Sequence, residues 1–162
     1  MFSREHSNLI QKLARQCLER GVSLVTAESC TGGLLSSLLT QEAGSSKWFD
    51  RGFVTYSNNA KIESLGVQEE TLENFGAVSQ EVANEMSMGA LKNSEASLGI
   101  SITGIAGPEG GSLAKPVGTV YFSIANQKKV ILEHKSDFKG SRQAIRKESV
   151  LFVLNKLLNL TL

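Results

Sequence analysis

Short β-type runs alternate with helical stretches along this chain, and that alternation leaves few folds open. Strand-type segments are read at 22–27 (VSLVTA), 52–57 (GFVTYS), 96–103 (ASLGISIT), 118–126 (GTVYFSIAN) and 128–138 (KKVILEHKSDF). Leu9, Ile10, Leu13, Cys17 and Leu18 recur at helical spacing, which predicts a helix near 4–20 ending at Gly21. Further helices are predicted at 32–41 (GGLLSSLLTQ), 58–65 (NNAKIESL) and 79–93 (SQEVANEMSMGALKN), the last with Ser79 as N-cap. A long helix over 141–160 closes the chain. Strands alternating with helices argue a layered α/β domain. The late strand pair, joined only by the polar NQKK, makes the sheet mixed. A chain of 162 residues that is 41% hydrophobic can bury one sizeable core, so 1–162 reads as a single domain.

The charge balance removes several classes of function. Lys plus Arg number 17 and Asp plus Glu 16, which gives no overall basic field for nucleic acid. The start, MFSREHSNLIQKLARQC, is charged throughout and lacks the apolar centre of a signal peptide. No apolar run approaches the length of a membrane span. Cys17 and Cys30 have no ligand-type spacing, so neither a zinc site nor a disulfide framework is expected, and a reducing, cytoplasmic setting is.

Chemistry concentrates in TAESCTGG, residues 26–33. Glu28, Ser29, Cys30 and Thr31 stand together and are closed by Gly32 and Gly33 at the start of a predicted helix. Glycines there let a ligand approach the backbone, and N–H groups at a helix start favour an anion or an oxyanion. Taken singly, the same run is a capped glycine turn. If Ser29 is a nucleophile it needs a base. His6 and His134 read as solvated surface residues. TYSNNAK offers Lys61 instead, in the first turn of a helix with Asn58 as a cap and Tyr56 at the strand end. A cation at that end of the helix dipole is disfavoured, a physical route to a neutral, basic lysine. Taken singly, Lys61 is also an ordinary solvated lysine. Cys30 is the rival nucleophile, or else a small buried residue packed under the turn.

Two further segments stand out. GIAGPEGGSLAKPVG, 104–118, holds both prolines and five glycines, and a loop of that length in a small domain is functional or disordered. FKGSRQAIRK puts Lys139, Arg142, Arg146 and Lys147 around a helix start, against the usual preference for acids there. An anionic partner or simple screening would each resolve that conflict.

The motifs TAESCTGG, TYSNNAK, GISITGIAGPEGGS, KPVGTVYF and FKGSRQAIR occur here in order. Together they resemble the C-terminal domain of the CinA family, the competence/damage-inducible proteins, over about residues 6–160. The resemblance implies a three-layer α/β/α sandwich with a mixed β-sheet. It implies the activity of the stand-alone members, which hydrolyse nicotinamide mononucleotide (NMN) to nicotinate mononucleotide and ammonia, with no metal and no cofactor. It implies catalytic roles for Ser29, Lys61 and Tyr56. Substrate contacts are implied for Glu28, Cys30, Thr31, Gly32, Gly33, Thr103, Gly104, Ala106, Gly107 and Arg142, with Arg142 on the phosphate side. Glu28 would hold a ribose hydroxyl or orient the loop. Larger members carry an N-terminal pyrophosphatase domain, and that domain and activity are expected to be absent here. A silent nucleotide-binding paralogue and a hydrolase of another amide stay open as alternatives.

The expected partners are a small-molecule substrate, no nucleic acid and no membrane. Leu151, Phe152, Val153, Leu154, Leu157 and Leu158 make an apolar helix surface wider than one stripe, which predicts a homo-oligomer, most simply a two-fold dimer.

Overall fold

The structure, a computed structural model, describes residues 4–160. Five strands form one sheet: β1 (Leu24–Glu28), β2 (Phe49–Val54), β3 (Leu98–Gly104), β4 (Thr119–Asn126) and β5 (Val130–Asp137). Their spatial order is β2-β1-β3-β4-β5. β1 runs parallel to β2 and β3, while β3, β4 and β5 are antiparallel, so the sheet is mixed. The helices are α1 (Arg4–Arg20), α2 (Leu34–Leu39), α3 (Asn58–Leu65), α4 (Glu69–Phe75), α5 (Gln80–Lys92) and α6 (Arg142–Asn159).

The pleat of the central strand sorts the helices into two layers. Leu24 points toward α1, α2 and α6, where it joins Ile10, Leu13, Leu35, Leu38, Val153 and Leu154. Val25 and Ala27 point the other way and pack with Leu65, Leu72, Val82 and Met86 of α3, α4 and α5. The result is the expected three-layer α/β/α sandwich. Close packing between α3 and α5 depends on Gly89, where an added Cβ would run into the Leu65 carbonyl oxygen. That contact seats the helix that carries Lys61.

Several boundaries differ from the sequence reading. β2 starts at Phe49 and stops at Val54, because after Thr55 the chain turns away from the sheet into α3. The N-cap of α3 is Ser57, whose Oγ accepts from the Ala60 N–H at 3.0 Å, rather than Asn58. α2 starts only at Leu34, since Gly32 and Gly33 sit at φ values of 55° and 91°, outside the helical region. α4 is unanticipated: EETLENF buries only Leu72 and has no side-chain cap, so its helical period is too sparse to read.

The apolar width of α6 is used inside the chain. Val153, Leu154 and Leu157 are buried, and Leu151, Phe152 and Leu158 pack half-buried against the same core. The histidines are also less exposed than expected. His6 is buried, and His134 stacks on Phe152 at 4.5 Å between ring centroids. Burial and the nearby Lys156 charge hold the His134 imidazole below its ordinary pKa. Among the described residues, no helix is long and apolar enough to cross a membrane.

Candidate active site

Three parallel strands end at one edge, and their carboxyl ends supply the site. Ser29 follows β1, Thr55 follows β2, and Thr103 and Gly104 end β3. The ladder continues one step past the strands: the Ser29 N–H donates to the Ile102 carbonyl and the Thr55 N–H to the Glu28 carbonyl, both at 2.9 Å. Ser29 is therefore held on rigid backbone.

The turn after Ser29 is built by its neighbours. The Gly32 N–H donates to the Ser29 carbonyl at 3.0 Å and the Leu34 N–H to the Thr31 carbonyl at 3.1 Å. The fully buried Glu28 carboxylate accepts from the Leu35 N–H at 3.0 Å and from the Ser36 N–H and hydroxyl, each at 2.8 Å. Because Ser36 gives its proton to Glu28, Thr26 must donate to the Ser36 oxygen, 2.7 Å away. Of the two roles open for Glu28, this is the orienting one: both oxygens serve the start of α2. Among the described residues, the Thr31 N–H has no protein acceptor, and the Cys30 N–H lies against its own sulfur.

Lys61 reaches the turn from the first turns of α3. Its Nζ donates to Ser29 Oγ at 3.0 Å and to the Thr55 carbonyl at 2.7 Å. The side chain is 1% exposed, and burial lowers its pKa to about 8. Desolvation is the leading cause, where the sequence had suggested the helix dipole. The Cys30 thiol moves the opposite way, pushed up to about 12 by burial, so it stays protonated at neutral pH. Its sulfur belongs to the core.

Around the Ser29–Lys61 pair lies a cleft of about 280 Å³. Ser29, Cys30, Lys61, Thr103, Gly104, Ala106, Gly107, Tyr56 and Arg142 all line it. Thr103 contributes its backbone wall, since its hydroxyl donates to the Ala77 carbonyl at 2.8 Å. The 104–118 loop is tied down: the Ile105 N–H donates to the Thr119 carbonyl at 2.9 Å and the Gly118 N–H to the Ile105 carbonyl at 2.7 Å. Lys115 Nζ fastens it to the Phe75 carbonyl at 2.8 Å. Arg142 joins two rims, donating from Nη1 to the Gly107 carbonyl and from Nη2 to the Tyr56 hydroxyl, both at 2.8 Å. Two larger clefts, of about 690 and 660 Å³, contain neither Ser29 nor Lys61.

Four expected substrate contacts lie outside this lining. Glu28, Thr31, Gly32 and Gly33 form the turn behind the cleft, with Glu28 and Thr31 fully buried. Tyr56, expected beside the lysine, is 61% exposed and bonded to Arg142; among the described residues no hydrogen bond joins it to Lys61 or Ser29. The sequence reading missed Thr55, Asn58, Ala77, Val78, Ile105, Glu109 and Gly110. Thr55 acts through its carbonyl, which leaves no side-chain signal, and Ala77 and Val78 look like core residues.

A serine at a strand end, a desolvated lysine on its hydroxyl and a spare N–H group in the adjoining turn place the protein among α/β/α sandwiches with a serine–lysine cleft. The chain belongs to the CinA C-terminal domain family, whose model matches residues 6–161. The nicotinamide-nucleotide amidohydrolase PncC of Escherichia coli (strain K12) is 46% identical over 157 residues, which is 97% of this chain and 95% of that protein. PncC of Enterobacter agglomerans is 53% identical over 135 residues, covering 83% and 82%. Among solved structures, the competence/damage-inducible protein CihA from Agrobacterium tumefaciens matches with TM-score 0.94 and 43% identity over 99% of both chains. The competence damage-inducible protein A from Klebsiella pneumoniae matches with TM-score 0.91 and 37% identity over 94% of each.

Proposed function

We propose that this protein hydrolyses the carboxamide of NMN to nicotinate mononucleotide and ammonia, with Ser29 as nucleophile and Lys61 as base. The observation that carries the chemistry is the 3.0 Å contact between the buried Lys61 Nζ and Ser29 Oγ. The substrate is suggested by the amidohydrolase relatives, which match nearly the whole chain.

With a pKa of about 8, roughly a tenth of Lys61 is neutral at pH 7. A neutral Nζ still donates to Thr55 and has a lone pair for the Ser29 proton. Ser29 Oγ attacks the carboxamide carbon as that proton moves to Lys61. The carboxamide oxygen becomes an oxyanion, for which the Cys30 and Thr31 N–H groups are the available donors. Lys61 then gives the proton to the departing amine, ammonia leaves, and an ester to Ser29 remains. Water, deprotonated by Lys61, cleaves the ester and restores the serine. Arg142 supplies the positive charge for the phosphate at the cleft mouth, and Tyr56 holds Arg142.

Ammonia and nicotinate mononucleotide measured after incubation with NMN test the reading. Turnover of NMN, with little on free nicotinamide, is the expected result. Saturable binding of NMN with no product would leave a silent binder, and preferred turnover of another amide would replace the substrate.

A further inference from the structure

Arg146 has no place in the scheme above, yet it grips the turn where the oxyanion would form. Its Nη2 donates to the Thr31 carbonyl at 2.8 Å. The same oxygen accepts from the Leu34 N–H at 3.1 Å, so both of its lone pairs are engaged. The guanidinium also lies against Gly32, where an added Cβ would sit 3.7 Å from Nη2. With the Gly32 N–H spent on the Ser29 carbonyl, the Cys30 N–H, which meets only its own sulfur, and the unpartnered Thr31 N–H lie between two fixed points. Two consecutive glycines at positive φ would otherwise leave this turn several conformations. Arg142 and Arg146, one helical turn apart on α6, thus hold two different segments: Arg142 the 104–118 loop that lines the cleft, and Arg146 the turn behind it that follows Ser29.

We propose that Arg146 is a positioning residue, which fixes the Thr31 carbonyl and thereby holds the Cys30 and Thr31 N–H groups ready for the oxyanion. The inference rests on the amidohydrolase reading for its substrate but not for its geometry. Ser29 Oγ and Lys61 are anchored by β1 and α3, so loss of Arg146 should spare the nucleophile, the base and the substrate pocket. It should loosen only the donors that meet the developing charge. Misplacing such groups by about an ångström costs roughly ten- to a hundredfold in rate.

The test compares the parent with Arg146→Ala and Arg146→Lys in two assays. In the first, a small fluorophosphonate phosphonylates Ser29: the Oγ–P bond forms, fluoride leaves, and Lys61 takes the proton. This reads the turn without any amide. In the second, kcat and KM are measured for NMN. The expected result for Arg146→Ala is a labelling rate and kcat lower by about ten- to a hundredfold, with KM within about threefold and an unchanged pH midpoint. Millimolar guanidinium should restore part of both rates, whereas Arg146→Lys should stay slow for want of the planar fork. Labelling at the parent rate, a rise in KM with kcat intact, or no rescue of a folded Arg146→Ala would each overturn the proposal. A parent that is labelled but does not turn over NMN defeats the substrate reading, while the labelling rates still decide the role of Arg146.

Discussion

In the proposed mechanism Lys61 is the residue on which the chemistry turns, and its environment makes two behaviours measurable. Only the neutral amine can take the serine proton, so kcat/KM should rise about tenfold per pH unit below about pH 8 and level off above it. A flat profile between pH 6 and 9 would remove the base assignment. Lys61→Arg should be nearly as inactive as Lys61→Ala, because arginine keeps the charge but does not release its proton. The same burial acts on stability. The unfolded lysine binds its proton up to 10.5 and the folded one only up to about 8, so the parent gains stability as pH rises through that window. Lys61→Met removes the titration. Urea unfolding should therefore show its advantage over the parent shrinking by about 3 kcal/mol between pH 8 and 10.5. A difference independent of pH would contradict a desolvated ammonium. The role proposed for Arg142 is in binding instead. A charge-assisted bond contributes about 1.5–3 kcal/mol, so Arg142→Ala should raise the KM for NMN roughly ten- to a hundredfold and change that for the phosphate-free riboside far less.

At the scale of elements, the start of α2 depends on a buried acid rather than on a cap of its own. Gly33 at the N-cap offers no side chain, and Glu28 receives three donors in its place. Glu28→Gln would set an amide N–H against at least one of those donors. A loss of about 2–3 kcal/mol by urea unfolding, with activity falling as well, is the expected outcome; a neutral change would mean that the turn holds itself. The layered fold was legible because period-2 and period-3.6 stretches alternate cleanly, and α3 was readable to the residue. β2 was not, because an edge strand with Asp50, Arg51 and Gly52 at its centre carries little apolar pattern. Ser29 and Lys61 could be picked out as candidates from residue type and position, while their assignment as nucleophile and base came from the family resemblance. The grip of Arg146 on Thr31 joins residues 115 positions apart, and Glu28 turns inward across a glycine turn to meet Leu35 and Ser36, so no regular helix or strand spacing encodes either.

Across the whole molecule, the cleft is a product of topology. β1 lies between two parallel neighbours, so the ends of all three strands converge, and α3 and α6 bring a lysine and two arginines to that edge from opposite layers. Val153, Leu154 and Leu157 of α6 are taken up by the core while Leu151, Phe152 and Leu158 stay half-buried, so the two-fold dimer stands as an expectation. The central claim is that this edge performs covalent amide hydrolysis through Ser29. It is tested most directly by the rate of ammonia release from saturating NMN by Ser29→Ala, with NMN binding followed on the same sample. The account predicts binding close to that of the parent and a rate lower by at least about a thousandfold; a rate within tenfold of the parent would contradict it.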